Sequence, residues 1–124
     1  MESIQGKVVP ARLLPFSPGI RSGGFVFVSG QASTDADGKI VADSFAGEMR
    51  RAMENLKGIL DAAGLTLADV VQVRAYLDSP AFIPEYNQIY REYFHEPYPA
   101  RTTLSGCLGG VVKFEIDVVA RDAR

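Results

Sequence analysis

A mixed β-sheet carrying two helices on one of its faces, an α+β fold, is what the sequence predicts, and three observations carry that prediction. Apolar residues recur at helical spacing in two separate stretches. Other stretches are β-branched, aromatic or alternate apolar with polar residues at period two. The two kinds of segment follow one another as strands, helix, strand, helix and two strands. Two right-handed crossovers onto one sheet put both helices on the same face, so the other face lacks cover from this chain. A self-associated oligomer is the economical answer.

Taken in order, residues 4–14, with Val8 and Val9 ahead of Pro10, suggest a short strand or sheet edge. Phe25, Val26, Phe27 and Val28 stand between Gly23-Gly24 and Gly30, which marks a central strand buried on both faces. The polar DADG turn at 35–38 leads into a short extension over Lys39, Ile40 and Val41. Met49, Ala52, Met53, Leu56, Ile59, Leu60 and Ala63 form one helical stripe, which Asp43 or Ser44 can cap and Gly64 can close in the left-handed conformation. Val71, Val73, Ala75 and Leu77 alternate with Gln72, Arg74 and Tyr76 as a strand with one apolar face. Ser79-Pro80 opens a second helix whose stripe is Ile83, Tyr86, Ile89, Tyr90, Tyr93 and Phe94, and Pro97 and Pro99 end it. Residues 101–104 are β-prone, SGCLGG breaks them, and a last strand runs over 111–120 with Phe114, Ile116, Val118 and Ala120 facing one way and Lys113, Glu115 and Asp117 the other.

The 124 residues fit one domain, 1–124, and their 47% apolar and 23% charged content excludes a disordered or fibrous chain. A net charge of −2 with scattered Lys and Arg argues against nucleic acid as a partner. No run approaches the roughly 20 apolar residues that span a bilayer, and the N-terminus lacks the pattern of a signal peptide, so the reading is a cytoplasmic protein with no membrane partner. A single Cys, Cys107, and a single His, His95, leave too few ligands for a zinc site. The lone His also removes the paired imidazoles common in metal-free RNA cleavage, and a Cys107 nucleophile would have only His95 as its base. Nucleotide-binding and hydrolase motifs of the P-loop, G-x-G-x-x-G and G-x-S-x-G types are absent.

Four places bear chemistry. Arg101 follows Pro97-Tyr98-Pro99-Ala100, where two prolines fix its approach; it is either a surface ion-pair member or a two-pronged grip on a carboxylate. Glu115 is a mid-strand acid on the polar alternate face, solvated there or, under a neighbouring subunit, desolvated enough to act as a general base. Ser29, Gly30 and Gln31 end the central strand in a tight turn or a close backbone approach to a ligand. Asn87 offers a carboxamide from the second helix.

In register along almost the whole chain, FVFVSGQ at 25–31, MENLKGILDAAG at 53–64, YNQIYREYF at 86–94, YPARTTL at 98–104 and FEIDVVA at 114–120 resemble the YjgF-type reactive intermediate (imine/enamine) deaminases, the Rid family. The resemblance implies a chorismate-mutase-like mixed six-stranded sheet with two helices on one face, assembled as a homotrimer with pockets between neighbours. It implies cofactor-free and metal-free hydrolysis of 2-imino acids and their 2-aminoacrylate-type enamine tautomers to 2-oxo acids and ammonia. Arg101 then matches the residue that anchors the substrate carboxylate and Glu115 the acid associated with the attacking water. Ser29, Gly30, Gln31 and Asn87 match substrate contacts, and Thr103 falls where relatives carry Cys or Thr. Two segments depart from the pattern: Phe16 in LPFSPG replaces a tyrosine frequent in relatives, and SGCLGG replaces an acidic residue and a Leu-Pro pair. A deaminase for a larger amine such as 2-aminomuconate and a non-enzymatic module binding small carboxylates or partner proteins share the same residues.

Overall fold

The computed structural model describes residues 1–6 and 14–123. In it, one six-stranded mixed sheet is built from β1 (Glu2–Ile4), β2 (Gly19–Ser22), β3 (Phe25–Ala32), β4 (Val70–Leu77), β5 (Ala100–Ser105) and β6 (Phe114–Arg121). Two α-helices connect its strands: α1 (Phe45–Ala62) links β3 to β4, and α2 (Ile83–Tyr93) links β4 to β5. The spatial order is β1-β2-β3-β6-β4-β5, with β4 and β5 parallel and every other pairing antiparallel. The strand expected at 4–14 is met only at Ile4, the last residue of β1; Gln5, Gly6 and Leu14 are not in a strand, and Val8, Val9 and Pro10 lie outside the described residues.

Both helices pack on one face of the sheet, as their stripes require. Met49, Ala52, Met53, Leu56, Ile59 and Leu60 of α1 and Tyr86, Ile89 and Tyr90 of α2 are buried together with Phe114, Ile116, Val118 and Ala120 of β6. Aromatic rings join the layers: Phe45 meets Phe114 edge-on at 6.0 Å, and Tyr86 lies 6.0 Å from the same ring. The helix ends follow the sequence signals. Ser44 accepts a hydrogen bond from the Gly47 amide, and Gly64, at φ +77°, lets the Gly64 and Leu65 amides reach back to Asp61 and Leu60. Ser79 caps a short 3-10 turn over Pro80–Phe82 that runs into α2.

Three local readings need correction. The strand expected to be buried on both faces lies inside the sheet, between β2 and β6, yet only Val26 and Val28 are buried; Phe25 and Phe27 are 40% and 46% exposed because no helix covers their face. In β4 the register shifts between Val70 and Gln72, so Val70 takes the inward place and Val71 is turned outward. The last strand starts at Phe114 rather than 111, since Gly109 and Gly110 adopt positive φ in the turns that precede it.

Lys113, at the entry to β6, is clamped to α1 by a buried acid. Glu48 is 2% exposed and accepts hydrogen bonds from the Lys113 amide at 3.0 Å, the Asp43 amide at 3.2 Å and the Lys113 ammonium at 3.1 Å. Burial alone would raise its pKa, but these donors outweigh it and hold the carboxyl below its ordinary value. The clamp fixes where β6 begins, and with it the position of Glu115.

Candidate functional site

The outward face of the sheet holds Glu115. Its neighbours Phe114 and Ile116 are fully buried, so strand alternation turns Glu115 away from the helices, opposite Tyr76 of β4. On the other flank, β3 shifts register between Val28 and Gln31, and this bulge carries Ser29 and Gly30 over β6. The missing side chain of Gly30 leaves room for the carboxylate where it lies: a Cβ at that position would stand 2.5 Å from Glu115 Oε2. Ser29 donates to the Ser17 carbonyl at 2.6 Å and, through its amide, to Pro18 at 2.9 Å, which draws Phe16 to the same place. The result is an open groove of about 550 Å3 lined by Phe16, Phe27, Ser29, Gly30, Arg74, Glu115 and Asp117, among others.

Within this groove two carboxylates are treated differently. Asp117 accepts from Arg74 Nε at 2.8 Å and from the Tyr76 hydroxyl at 2.7 Å. Glu115 has no hydrogen bond or ion pair to a described residue. Burial raises its pKa, and the charge of Asp117 raises it further. A half-desolvated carboxylate with free lone pairs is suited to hold a water and take a proton from it.

Arg101 belongs to the opposite face. It sits across the parallel ladder from Val73, which is fully buried, so its side chain leaves β5 toward the helices. There its guanidinium lies 4.9 Å from the ring centroid of Tyr86 and 4.7 Å from that of Tyr90. No carboxylate of the described residues pairs with it, and it lines a hollow of about 490 Å3 with Asn87, Tyr90, Arg91, Glu96 and Tyr98. Two residues along, the Thr103 hydroxyl is engaged by the Tyr86 hydroxyl at 2.9 Å, which braces the ring beneath the guanidinium.

The predicted site residues therefore fall into two groups on opposite faces of the sheet. Phe16, Ser29 and Gly30 stand with Glu115, Asn87 and Thr103 stand near Arg101, and within one chain the two groups do not meet. Gln31 lies on the helix side instead, opposite Ile116 and beside Ile59, its carboxamide bonded to the Ser29 carbonyl. Tyr86 and Tyr90, read from the sequence as helix core, prove also to be the seat of Arg101. Arg74, Tyr76 and Asp117 form a polar network that the sequence shows only as alternation. Cys107 is exposed and His95 lines a separate hollow with Glu54 and Tyr93. Among the described residues no three His, Cys, Asp or Glu side chains gather as metal ligands, and no helix is long and apolar enough to cross a membrane.

Comparison with known proteins places this geometry among relatives. Residues 7–122 match the model of a family described as endoribonuclease L-PSP. A RutC family protein of Pyrococcus horikoshii, PH0854, is 37% identical over 113 residues, covering 90% of each chain. A protein of Dermatophagoides farinae named 2-iminobutanoate/2-iminopropanoate deaminase is 28% identical over 102 residues, covering 82% of this chain and 80% of its own. The crystal structure of YyfA from Yersinia pestis, described as a protein of unknown function of the conserved Rid protein family, superposes with a TM-score of 0.88 at 28% identity, covering 97% and 98% of the two chains.

Proposed function

The chain belongs to the endoribonuclease L-PSP family, which includes the Rid proteins, and on that premise we propose that it is a hydrolytic deaminase of 2-imino acids and their enamine tautomers. The observation that carries the reading is Arg101: an exposed guanidinium seated on two tyrosine rings, with no acid of the described residues paired to it. A planar cation held in this way fits a substrate carboxylate, which it can grip through two parallel hydrogen bonds. The relative from Dermatophagoides farinae supplies the reaction class by its name. An RNA-cleaving reading has less to rest on, since the chain has one His and it lies apart from both groups.

The chemistry asks for little more than the two groups provide. A 2-imino acid presents one full negative charge and one electrophilic carbon. Arg101 holds the carboxylate; Glu115 takes a proton from water as the water oxygen adds to C2. The resulting carbinolamine receives that proton on nitrogen; Glu115 then takes the hydroxyl proton as the C–N bond breaks and the C=O bond forms, and a 2-oxo acid and ammonia leave. An enamine enters after gaining a proton at C3. No step calls on a metal or a cofactor, and positioning supplies much of the rate.

Because Arg101 and Glu115 lie on opposite faces, the complete site takes Arg101 from one copy and Glu115 from its neighbour. A homotrimer in which each chain closes the open sheet face of the next satisfies both the exposed Phe25 and Phe27 and the divided site. Mixing tests this directly. Arg101→Ala and Glu115→Ala are each inactive alone, but unfolded and refolded together in equal amounts they regain roughly a quarter of wild-type activity, the share of interfaces that receive both intact groups in a head-to-tail ring. The assay is decay of an imino acid generated by an amino-acid oxidase and trapped with semicarbazide. No recovery in mixed oligomers overturns the shared site, and wild-type turnover no faster than buffer overturns the deaminase.

A further inference from the structure

Two carboxylates lie on the same face of β6, two residues apart, and among the described residues every donor goes to one of them. Asp117 is gripped by Arg74 Nε at 2.8 Å and by the Tyr76 hydroxyl at 2.7 Å; Glu115 receives none from a described residue. The register explains the division. Arg74 stands directly opposite Asp117 and Tyr76 directly opposite Glu115, yet the Tyr76 hydroxyl reaches diagonally to Asp117 Oδ2 and leaves its own partner bare. On the β3 side Glu115 meets Gly30, which has neither a side chain nor a charge to offer. Among the described residues the charged and titratable groups facing it are therefore Asp117 on its own strand and Arg74 and Tyr76 on β4, with Arg74 committed to Asp117.

We infer that Asp117 is a positioning residue which, held in place by its bonds from Arg74 and Tyr76, makes Glu115 the proton acceptor of the pair. Like charges in one partly buried groove disfavour each other, and the proton goes to the carboxylate with no donors of its own. The direction found for Glu115, raised by burial and then by the Asp117 charge, agrees. The arrangement matches what the reaction needs, a carboxylate basic enough to draw a proton from water and able to return it to the departing nitrogen. Tyr76 and Arg74 belong to the same device: their bonds hold the Asp117 charge at a fixed place beside Glu115.

The inference rests on Glu115 being the base, and its test separates the two. The first measurement is the pH profile of kcat/KM for wild type, Asp117→Asn and Arg74→Met. Asp117→Asn keeps an acceptor for Tyr76 but removes the charge, so the acidic limb moves down in pH, and the activity of the variant relative to wild type is higher near pH 5 than near pH 8. Arg74→Met leaves the Asp117 charge without its cation and moves the limb up. A purely structural role for Asp117 lowers activity evenly across the profile and leaves the limb in place, which overturns the inference. The second measurement follows the carboxyl carbon of Glu115 by NMR, its signal identified by its loss in Glu115→Gln. A midpoint that falls in Asp117→Asn supports the inference even where no deaminase activity is found, and a midpoint unchanged in Asp117→Asn overturns it whatever the activity.

Discussion

Replacing Gly30 by alanine separates folding from function at the point where backbone and carboxylate are closest. The added Cβ would stand 2.5 Å from Glu115 Oε2 and 3.1 Å from its carboxyl carbon, and no other described atom outside the neighbouring residues and Glu115 comes as near. Since nonbonded heavy atoms settle near 3.5 Å, the carboxylate must retreat by about 1 Å. The backbone has no reason to move, because Gly30 is not among the positive-φ glycines and alanine can adopt its conformation. Displacement of a reacting group by about 1 Å costs on the order of a hundredfold. Alanine meanwhile reduces the freedom of the unfolded chain, a gain of about 0.4–1 kcal/mol that offsets the strain of moving a flexible side chain. Gly30→Ala is therefore expected to lose ten- to a hundredfold in kcat/KM while its melting temperature stays within a few degrees of wild type. Gly58→Ala is the matched control: it lies in α1 with open space around it, and gains about 0.5–1 kcal/mol with turnover unchanged. Full activity in Gly30→Ala would show that the reaction does not depend on where the Glu115 carboxylate sits.

Two further outcomes are expected. Glu48→Gln presents an amide group to donors, the Lys113 ammonium and two backbone amides, that only a carboxylate can satisfy together; thermal melting should show a loss of about 2–4 kcal/mol. Because the folded carboxyl titrates below its ordinary 4.5, wild type keeps this contribution above that pH and loses it as pH falls through the lower folded value, whereas Glu48→Gln shows no such acid-linked loss. The Tyr90 hydroxyl is buried with no hydrogen-bond partner among the described residues, and burial, reinforced by Tyr86 and opposed by the Arg101 charge, pushes its pKa up to about 12. Tyr90→Phe keeps the ring under Arg101 and removes an unsatisfied group, so the melting temperature rises, by about 1 kcal/mol in stability, with activity retained; a fall would mean that a neighbouring copy bonds the hydroxyl.

Much of the fold was legible because burial acts on one face at a time. The α1 stripe, the Ser44 and Gly64 caps and the alternation of β6 each follow from a period that local geometry imposes. The misreadings share a cause. Phe25 and Phe27 read as core because an aromatic strand is usually covered on both sides, and here the second cover is not supplied by the chain itself. Val71 read as inward because a bulge adds a residue without leaving a mark in the apolar pattern. Gln31 read with Ser29 and Gly30 because the bulge between Val28 and Gln31 that turns it to the other face is equally silent.

The placement of Arg101 shows why candidate residues can be named from sequence while their arrangement cannot be assembled from it. A charged residue at a position facing the helices is tolerable only at the rim of the core, and β5 is an edge strand whose residues all keep some exposure. There Tyr86 and Tyr90 offer faces that attract a guanidinium without neutralising it, as a carboxylate would. The cation is thereby kept available. Glu115, on the face without helices, likewise has no donor among the described residues. Neither half is paired with an opposite charge of the described residues, and each would be costly to bury alone. On the proposed shared site, a neighbour that brought its Arg101 to the Glu115 groove would cover the exposed phenylalanines in the same contact, so association and activity are expected to be lost together.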